Sequence, residues 1–457
     1  MTALREAMFA VENPATGELI AEVADESASE ALAALGRAVD AAPDWGATAP
    51  RTRAELLRRL FELVEGHGEE LGELLTAETG KSREEAATEI AYAADFLRWF
   101  SEEAVRISGR YGVNPAGSGR MIVGHRPVGP CYLITPWNFP LAMATRKLGP
   151  ALAAGCTAVV KPAELTPLTT LRLTALALEA GIPAGVVNAV CTTRPAEVTD
   201  ALLSDSRLRK LSFTGSTAVG RRLLELAARH VLRTSMELGG NAPFIVLEDA
   251  DLDAAIDGAI QAKFRNSGQA CTAANRFLVD GTLLESFTER IAERVSAVIT
   301  GPLIDARAVA RLEALLADGV ARGAHVLVGG HAIAGPGHYF EPTVVADVPP
   351  DCRLAAEEIF GPIVSIGSFN DENEAVRLAN GTEAGLVAYV YTRDLARAQR
   401  LLDALEVGMT GINVGVVSDA AAPFGGIKTS GLGREGGAEG IHEYLETTYA
   451  VTADPFR

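Results

Sequence analysis

The chain has 457 residues, 48% hydrophobic and 22% charged, with a net charge of −18. That length allows two or three domains with well-filled cores. The acidic balance speaks against nucleic acid as a partner, and no apolar run reaches the ~20 residues of a bilayer span, so no membrane partner is expected either.

The N-terminal stretch MTALREAMFAVENPATGELI lacks a basic segment followed by an apolar core, so a cytoplasmic location is expected. The five cysteines, Cys131, Cys156, Cys191, Cys271 and Cys352, are scattered, with no C-x-x-C and no Cys/His cluster at metal-ligand spacing. Free thiols in a reducing compartment and no metal site are the reading. From Glu26 to Phe100 the pattern is that of several amphipathic helices. RTRAELLRRLFELVEGH puts Leu56, Leu57, Leu60, Phe61 and Val64 on one stripe with arginines opposite. From Arg106 to Arg126, Gly, Pro and short β-prone pieces predict a hairpin-like excursion.

Between Cys131 and Asp249 strand and helix alternate, which predicts a parallel sheet covered on both faces with ligands at the strands' carboxyl ends. Each strand end here carries polar residues of interest. ITPWNFPL holds Asn138 in a proline-flanked turn, where its amide can donate to a developing oxyanion or simply form the turn. VVKPAELTP offers Lys161 and Glu164, a ribose-binding pair or a surface ion pair. FTGSTAVG runs from a strand through Gly215 and Ser216 into a helix, whose free N–H groups suit a phosphate as well as a serine cap. Arg221 stands where a Walker motif has lysine, so a P-loop is rejected. SMELGGNAPFIV places Glu237 in an apolar setting that would raise its pKa, as a general base requires, or uses it as a cap.

A second α/β region is predicted from Leu252 to about Gly433, with strands in RFLVD, HVLVGG, PIVSIGSF and LVAYVYT. Near its start lies FRNSGQACTAANRF, with Cys271 between Arg265 and Arg276. By itself Cys271 reads first as a small buried residue; a nucleophilic role needs a helix N-terminus or nearby cations. The tail GIHEYLETTYAVTADPFR ends in a β-prone piece suited to pair with the early hairpin.

Taken in order, TPWNFPL, KPAELTP, FTGSTAVGR, MELGGNAPFIV, GQACTAANR, EEIFGP and PFGGIKTSGLGREGG resemble the aldehyde dehydrogenase superfamily, from about Phe9 to the C-terminus. The resemblance implies an α/β fold of three parts. A variant Rossmann NAD-binding domain would span 1–105 and 128–239, a catalytic domain 240–435, and a small β element for homodimers or homotetramers 106–127 and 436–457. It implies Cys271 as nucleophile, Asn138 with the Cys271 backbone amide as oxyanion donors, Glu237 as general base and Lys147 near the catalytic centre. Ile134, Thr135, Trp137, Lys161, Glu164, Gly215, Ser216, Glu358 and Phe360 would hold the cofactor. Glu164 would repel a 2′-phosphate, so NAD is favoured over NADP. Arg146, Arg265 and Ser418 match residues that hold a distal carboxylate in the succinate-semialdehyde dehydrogenase branch, while Arg276 reads as structural. The small-molecule substrate would then be a carboxylated aldehyde, succinate semialdehyde first. Another aldehyde, a CoA-acylating reaction or a non-catalytic protein on this fold are the alternatives. Two departures stand out. Ala273 occupies the place where some members of that branch carry a second cysteine, and Cys191 to Leu208 lacks a glycine-rich turn common in the family.

Overall fold

A computed structural model describes residues 7–453. Residues 1–6 and 454–457, the outer ends of two of the expected spans, lie outside the described residues. Two sheets organise the chain. The first has six strands in the order Gly431–Leu432, Arg233–Glu237, Lys210–Thr214, Cys131–Ile134, Ala158–Lys161, Val187–Ala189. Its five long-range strands run parallel, and the chain builds outward from Cys131–Ile134 first to one side and then to the other. Such a reversal opens a crevice beyond the carboxyl ends of the central strands, where Ile134, Lys161 and Thr214 stand. The second sheet has seven strands, in the order His325–Val328, Thr343–Ala346, Ile363–Phe369, Ala274–Asp280, Ala242–Val246, Val387–Tyr391, Met409–Ile412. Only its first strand pairs antiparallel.

Helices cover both sheets. Ala28–Ala47 and Arg83–Glu103 each begin with a capping box, Ser27 with Glu30 and Ser82 with Glu85, which satisfies otherwise orphaned N–H groups. In Pro50–Gly66 the predicted stripe is buried at Leu57, Leu60, Phe61 and Val64, while Leu56 is only partly covered. Arg53 departs from the expected polar face. It is buried and donates to the carbonyls of Thr48 and Ala153, fastening this helix to the one behind it.

Pro140–Ala154 is buried at every residue. Proline at its first turn and Gly155, with φ of 94°, at its end set its limits. An all-round buried helix must bring partners for its polar side chains, and this one carries Arg146 and Lys147.

Two features were not legible in the sequence. An N-terminal hairpin pairs Met8–Glu12 with Leu19–Ala24. Gly431–Leu432, assigned with the second region, adds antiparallel to Met236 and Glu237 in the first sheet. A two-residue strand has no periodicity to read, and glycine is required there. Gly431 has φ of 141°, and a Cβ would fall 1.9 Å from the Met236 carbonyl. The tail strand Leu445–Ala453 does pair with Gly119–Pro127, in register from Leu445↔Pro127 to Ala453↔Gly119, and Arg110–Val113 completes a three-stranded antiparallel sheet. No helix among the described residues is long and apolar enough to cross a membrane.

Candidate active site

Between Glu237, the last residue of a strand in the first sheet, and Ala242, the first of a strand in the second, the chain crosses from one lobe to the other in Leu238–Asn241. The crossing is tight. A Cβ on Gly239 would lie 2.8 Å from Glu358 Oε2, and one on Gly240 would lie 2.6 Å from the Cys271 carbonyl. A cavity of about 660 Å³ opens beside it. It brings together Trp137, Asn138, Arg146, Gly215, Ser216, Glu237, Arg265, Cys271, Glu358, Phe360 and Ser418 from among the sequence-predicted residues.

Cys271 is partly exposed, whereas Cys131, Cys156, Cys191 and Cys352 are buried. Burial pushes its thiol up to about 12. Arg146 and, less strongly, Arg265 pull the other way, while Glu358 and Glu237 add to the rise. Asn138, buried in the proline-flanked turn, donates one amide hydrogen to the Gln269 carbonyl at 2.9 Å. The Asn138 carbonyl in turn accepts from Asn266 Nδ2 at 3.0 Å. One N–H of the amide is thereby anchored to the loop of Cys271, which leaves its second hydrogen for a ligand.

Glu237 is 3% exposed, and neither carboxylate oxygen has a hydrogen-bond partner among the described residues. Burial raises its pKa well above the usual range and the neighbouring Glu435 adds to it, against Lys147, Arg146 and Arg434. Lys147 was expected near the catalytic centre, and its charge acts on Glu237. It does not line the cavity; its Nζ donates to Glu435 Oε1 at 2.6 Å and Ser212 Oγ at 2.8 Å beneath it. Its helix is buried on every side, so a cation there must find a carboxylate inside the protein.

Arg146 is 2% exposed. Its guanidinium stacks on Phe424 at 4.0 Å, donates to the Tyr92 hydroxyl at 2.5 Å and stands 3.8 Å from Glu435. Its Nε has no partner among the described residues. Arg265 is partly exposed, donates to Thr272 Oγ1 at 3.2 Å and lies over the Phe139 ring. Arg276 faces the other way and donates to the carbonyls of Asn241, Leu378 and Ala379.

The remaining residues line up along the crevice of the first sheet. Ile134 ends the central strand and Thr135 follows it. Lys161 ends its neighbour, buried, with Nζ 3.8 Å from Glu164. Ser216 caps the helix Thr217–Ala228 by accepting from Val219 N. The buried hydroxyls of Thr135 and Thr214 have no partner among the described residues. Unpaired buried hydroxyls, a lysine and a helix N-terminus along one crevice fit a dinucleotide. Glu358 accepts from Gly240 N at 3.2 Å, and burial raises its pKa to about 7, with Arg311 and Lys263 opposing. Trp137 and Phe360 meet edge to face at 5.5 Å.

Sequence reasoning missed Tyr92, Glu435, Asn266 and Phe424. Tyr92 sits in an ordinary amphipathic helix and carried no signal. Glu435 and Phe424 lay inside PFGGIKTSGLGREGG, a motif noted as a whole without assigning them.

Residues 2–450 match the aldehyde dehydrogenase family. A succinate-semialdehyde dehydrogenase of Paenarthrobacter nicotinovorans is 53% identical over 448 residues, covering 96% of this chain and all of that protein. A glutarate-semialdehyde dehydrogenase of Pseudomonas putida is 49% identical, covering 96% of this chain and 93% of the relative. A solved Escherichia coli structure, described as an NADP-dependent enzyme, is 46% identical with a TM-score of 0.97, covering 98% of this chain and 95% of that one.

The electrostatics of Cys271 have a measurable consequence. In cofactor-free protein, alkylation of Cys271 by iodoacetamide, followed by peptide mass spectrometry, should rise about tenfold per pH unit from pH 7 to 10, because the thiolate fraction does. Arg146→Met should slow it at each pH, since loss of the cation raises the thiol pKa further. A plateau below pH 9 would contradict the raised pKa.

Proposed function

The chain belongs to the aldehyde dehydrogenase family, and on that premise we propose that it oxidises succinate semialdehyde to succinate with NAD. The observation that carries the substrate is the pair of guanidinium groups, Arg146 and Arg265, on the cavity that also holds Cys271. In a protein of net charge −18, an anionic substrate needs such local cations, and guanidinium matches carboxylate geometry. The 53% identity to a succinate-semialdehyde dehydrogenase supports the same reading.

In the proposed reaction, Arg146, Arg265 and Ser418 hold the distal carboxylate and aim the aldehyde carbon at Cys271 Sγ. The thiolate adds to that carbon, and the free amide hydrogen of Asn138 meets the developing oxyanion, a contact worth about 3–4 kcal/mol. NAD, when bound, would supply the acceptor for the hydride that leaves this carbon as the carbonyl re-forms. A thioester then remains on Cys271. Glu237 takes a proton from water, the oxygen attacks the thioester carbon, and the thiolate leaves with succinate freed. A carboxylate whose pKa burial raises well above the usual range is a better proton acceptor than an ordinary surface glutamate. An intact base of this kind favours hydrolysis over acyl transfer to CoA.

Ile134, Thr135, Trp137, Lys161, Glu164, Gly215 and Ser216 would hold NAD along the first sheet, and Glu358 and Phe360 its nicotinamide end. The first lobe is accordingly the cofactor domain and the second the catalytic domain. The three-stranded sheet leaves Tyr111, Val113, Ile122, Tyr449 and Val451 exposed, which supports a role in joining subunits.

Arg146→Ala and Arg265→Ala should each lower kcat/KM for succinate semialdehyde by about 10- to 100-fold, a lost charge-assisted contact being worth ~1.5–3 kcal/mol, while propanal turnover falls far less. Equal losses on both aldehydes would refute the carboxylate grip, and a higher kcat/KM for glutarate semialdehyde would move the assignment to the longer substrate. The half-exposed Glu164 beside Lys161 predicts a higher kcat/KM with NAD than with NADP. Initial rates with the two cofactors check it, and a preference for NADP would rule it out. Light scattering should give the mass of a dimer or tetramer, and Tyr449→Glu with Val451→Glu should shift it to the monomer; a monomeric wild type would remove the proposed role of the sheet.

A further inference from the structure

Beyond the side chains that face the reacting atoms, we propose that the buried Lys81–Glu89 ion pair positions the oxyanion donor Asn138; the inference rests on the reading of Asn138 given above. Lys81 lies in the short link between the helices Gly68–Thr79 and Arg83–Glu103, and Glu89 two turns into the second. Both side chains are 0% exposed. Lys81 Nζ donates to Glu89 Oε2 and to the Asn138 carbonyl, the latter at 3.1 Å, and sits over the Phe139 ring at 4.5 Å. Glu89 Oε1 accepts from the backbone amides of Leu141 and Ala142, at 3.0 and 3.2 Å. One partner thus holds the residue that carries the donor, and the other holds the helix turn immediately after it.

On the opposite side, Asn266 and Gln269 fasten Asn138 to the loop of Cys271. The pair completes a grip in which the turn is held from the helical layer as well as from the nucleophile loop. Capping the amides of Leu141 and Ala142 needs only a neutral acceptor. A buried charge pair at the same place is costly to desolvate and is often replaceable by apolar residues without loss of stability. What the lysine adds is the bond to the Asn138 carbonyl, and it makes that bond at the edge of the cavity that holds Cys271. Misplacing a donor by about 1 Å costs roughly 100-fold in rate, so a fixed turn matters more to turnover than to folding.

A double-mutant cycle with Asn138 tests this. The variant Lys81→Met/Glu89→Gln leaves no single buried charge and keeps an acceptor for Leu141 and Ala142. With saturating NAD its kcat should fall about 10- to 100-fold, with KM for NAD at the wild-type value and one titratable Cys271 per chain. In the Asn138→Ala background the same paired substitution should cost no further kcat, because the group it acts through is gone. Lys81→Arg, which keeps a donor, should restore part of the rate. Wild-type kcat in the paired variant overturns the inference. So does an equal loss in the Asn138→Ala background, the mark of a merely structural role. If circular dichroism shows the paired variant unfolded, Lys81→Met alone, which removes the bond to the Asn138 carbonyl, carries the same cycle with the same two deciding outcomes. A wild-type protein that forms no NADH from any aldehyde is a different result. It removes the reaction itself, and with it this inference, whereas failure of the ion-pair role leaves wild-type turnover intact.

Discussion

Everything in the site depends on how closely the backbone passes between its two lobes at Gly239–Gly240. A side chain at either position would occupy space held by the Glu358 carboxylate or the Cys271 carbonyl. With no Cβ there, three segments from distant parts of the sequence converge on one cavity wall: the strand end bearing Glu237, the loop of Cys271 and the loop of Glu358. At Gly240 the contact is backbone on backbone, which is stiffer than contact between flexible side chains. That stiffness is what preorganised chemistry needs, since donors and acceptors must already point where charge will develop.

The second constraint is electrostatic. Glu237 and Glu435 are both buried, and Glu435 adds to the rise in the pKa of Glu237. Two carboxylates taken out of water would be prohibitive without cations, and the buried helix Pro140–Ala154 brings two, Arg146 and Lys147. Lys147 bonds directly to Glu435. Arg146 stands farther from Glu435 and also favours the Cys271 thiolate. One helix thus supplies the charge balance for the proposed base and part of the activation of the proposed nucleophile. Its own polar groups are tolerated because the site gives them partners.

The alternation of strands and helices was legible because each element is long enough to show a period and the sheets are buried on both faces. The tail's return to the early hairpin was legible for the same reason: both pieces are β-prone and otherwise unpartnered. Gly431–Leu432 was not, because two residues have no period and their pairing is dictated by the partner strand. Among site residues, those in short polar turns at strand ends stood out, as Asn138 and Ser216 do, whereas Cys271 was singled out only by the order of the motifs around it. Tyr92 and Glu89 did not stand out, because on an amphipathic helix their spacing is that of core packing and only the fold turns them toward the cavity. Lys147 was read as near the centre but not as the partner of Glu435, since a contact across 288 residues leaves no local trace.

Arg146 and Arg276 show how burial alone fails to separate a functional cation from a structural one. Both are nearly inaccessible, at 2% and 7% exposure. Arg276 makes four hydrogen bonds to three backbone carbonyls, so its fork is largely satisfied by the protein. Arg146 makes one hydrogen bond, to a phenol, rests against aromatic faces and pairs with Glu435 only at 3.8 Å. A purely structural arginine in so dry a place would be expected to hold a close bidentate acid or several carbonyls. Arg146 is instead held among a phenol, aromatic faces and Glu435 at 3.8 Å, in the wall of the cavity that holds Cys271. In the proposed reaction the substrate carboxylate is the further partner that this arrangement would receive.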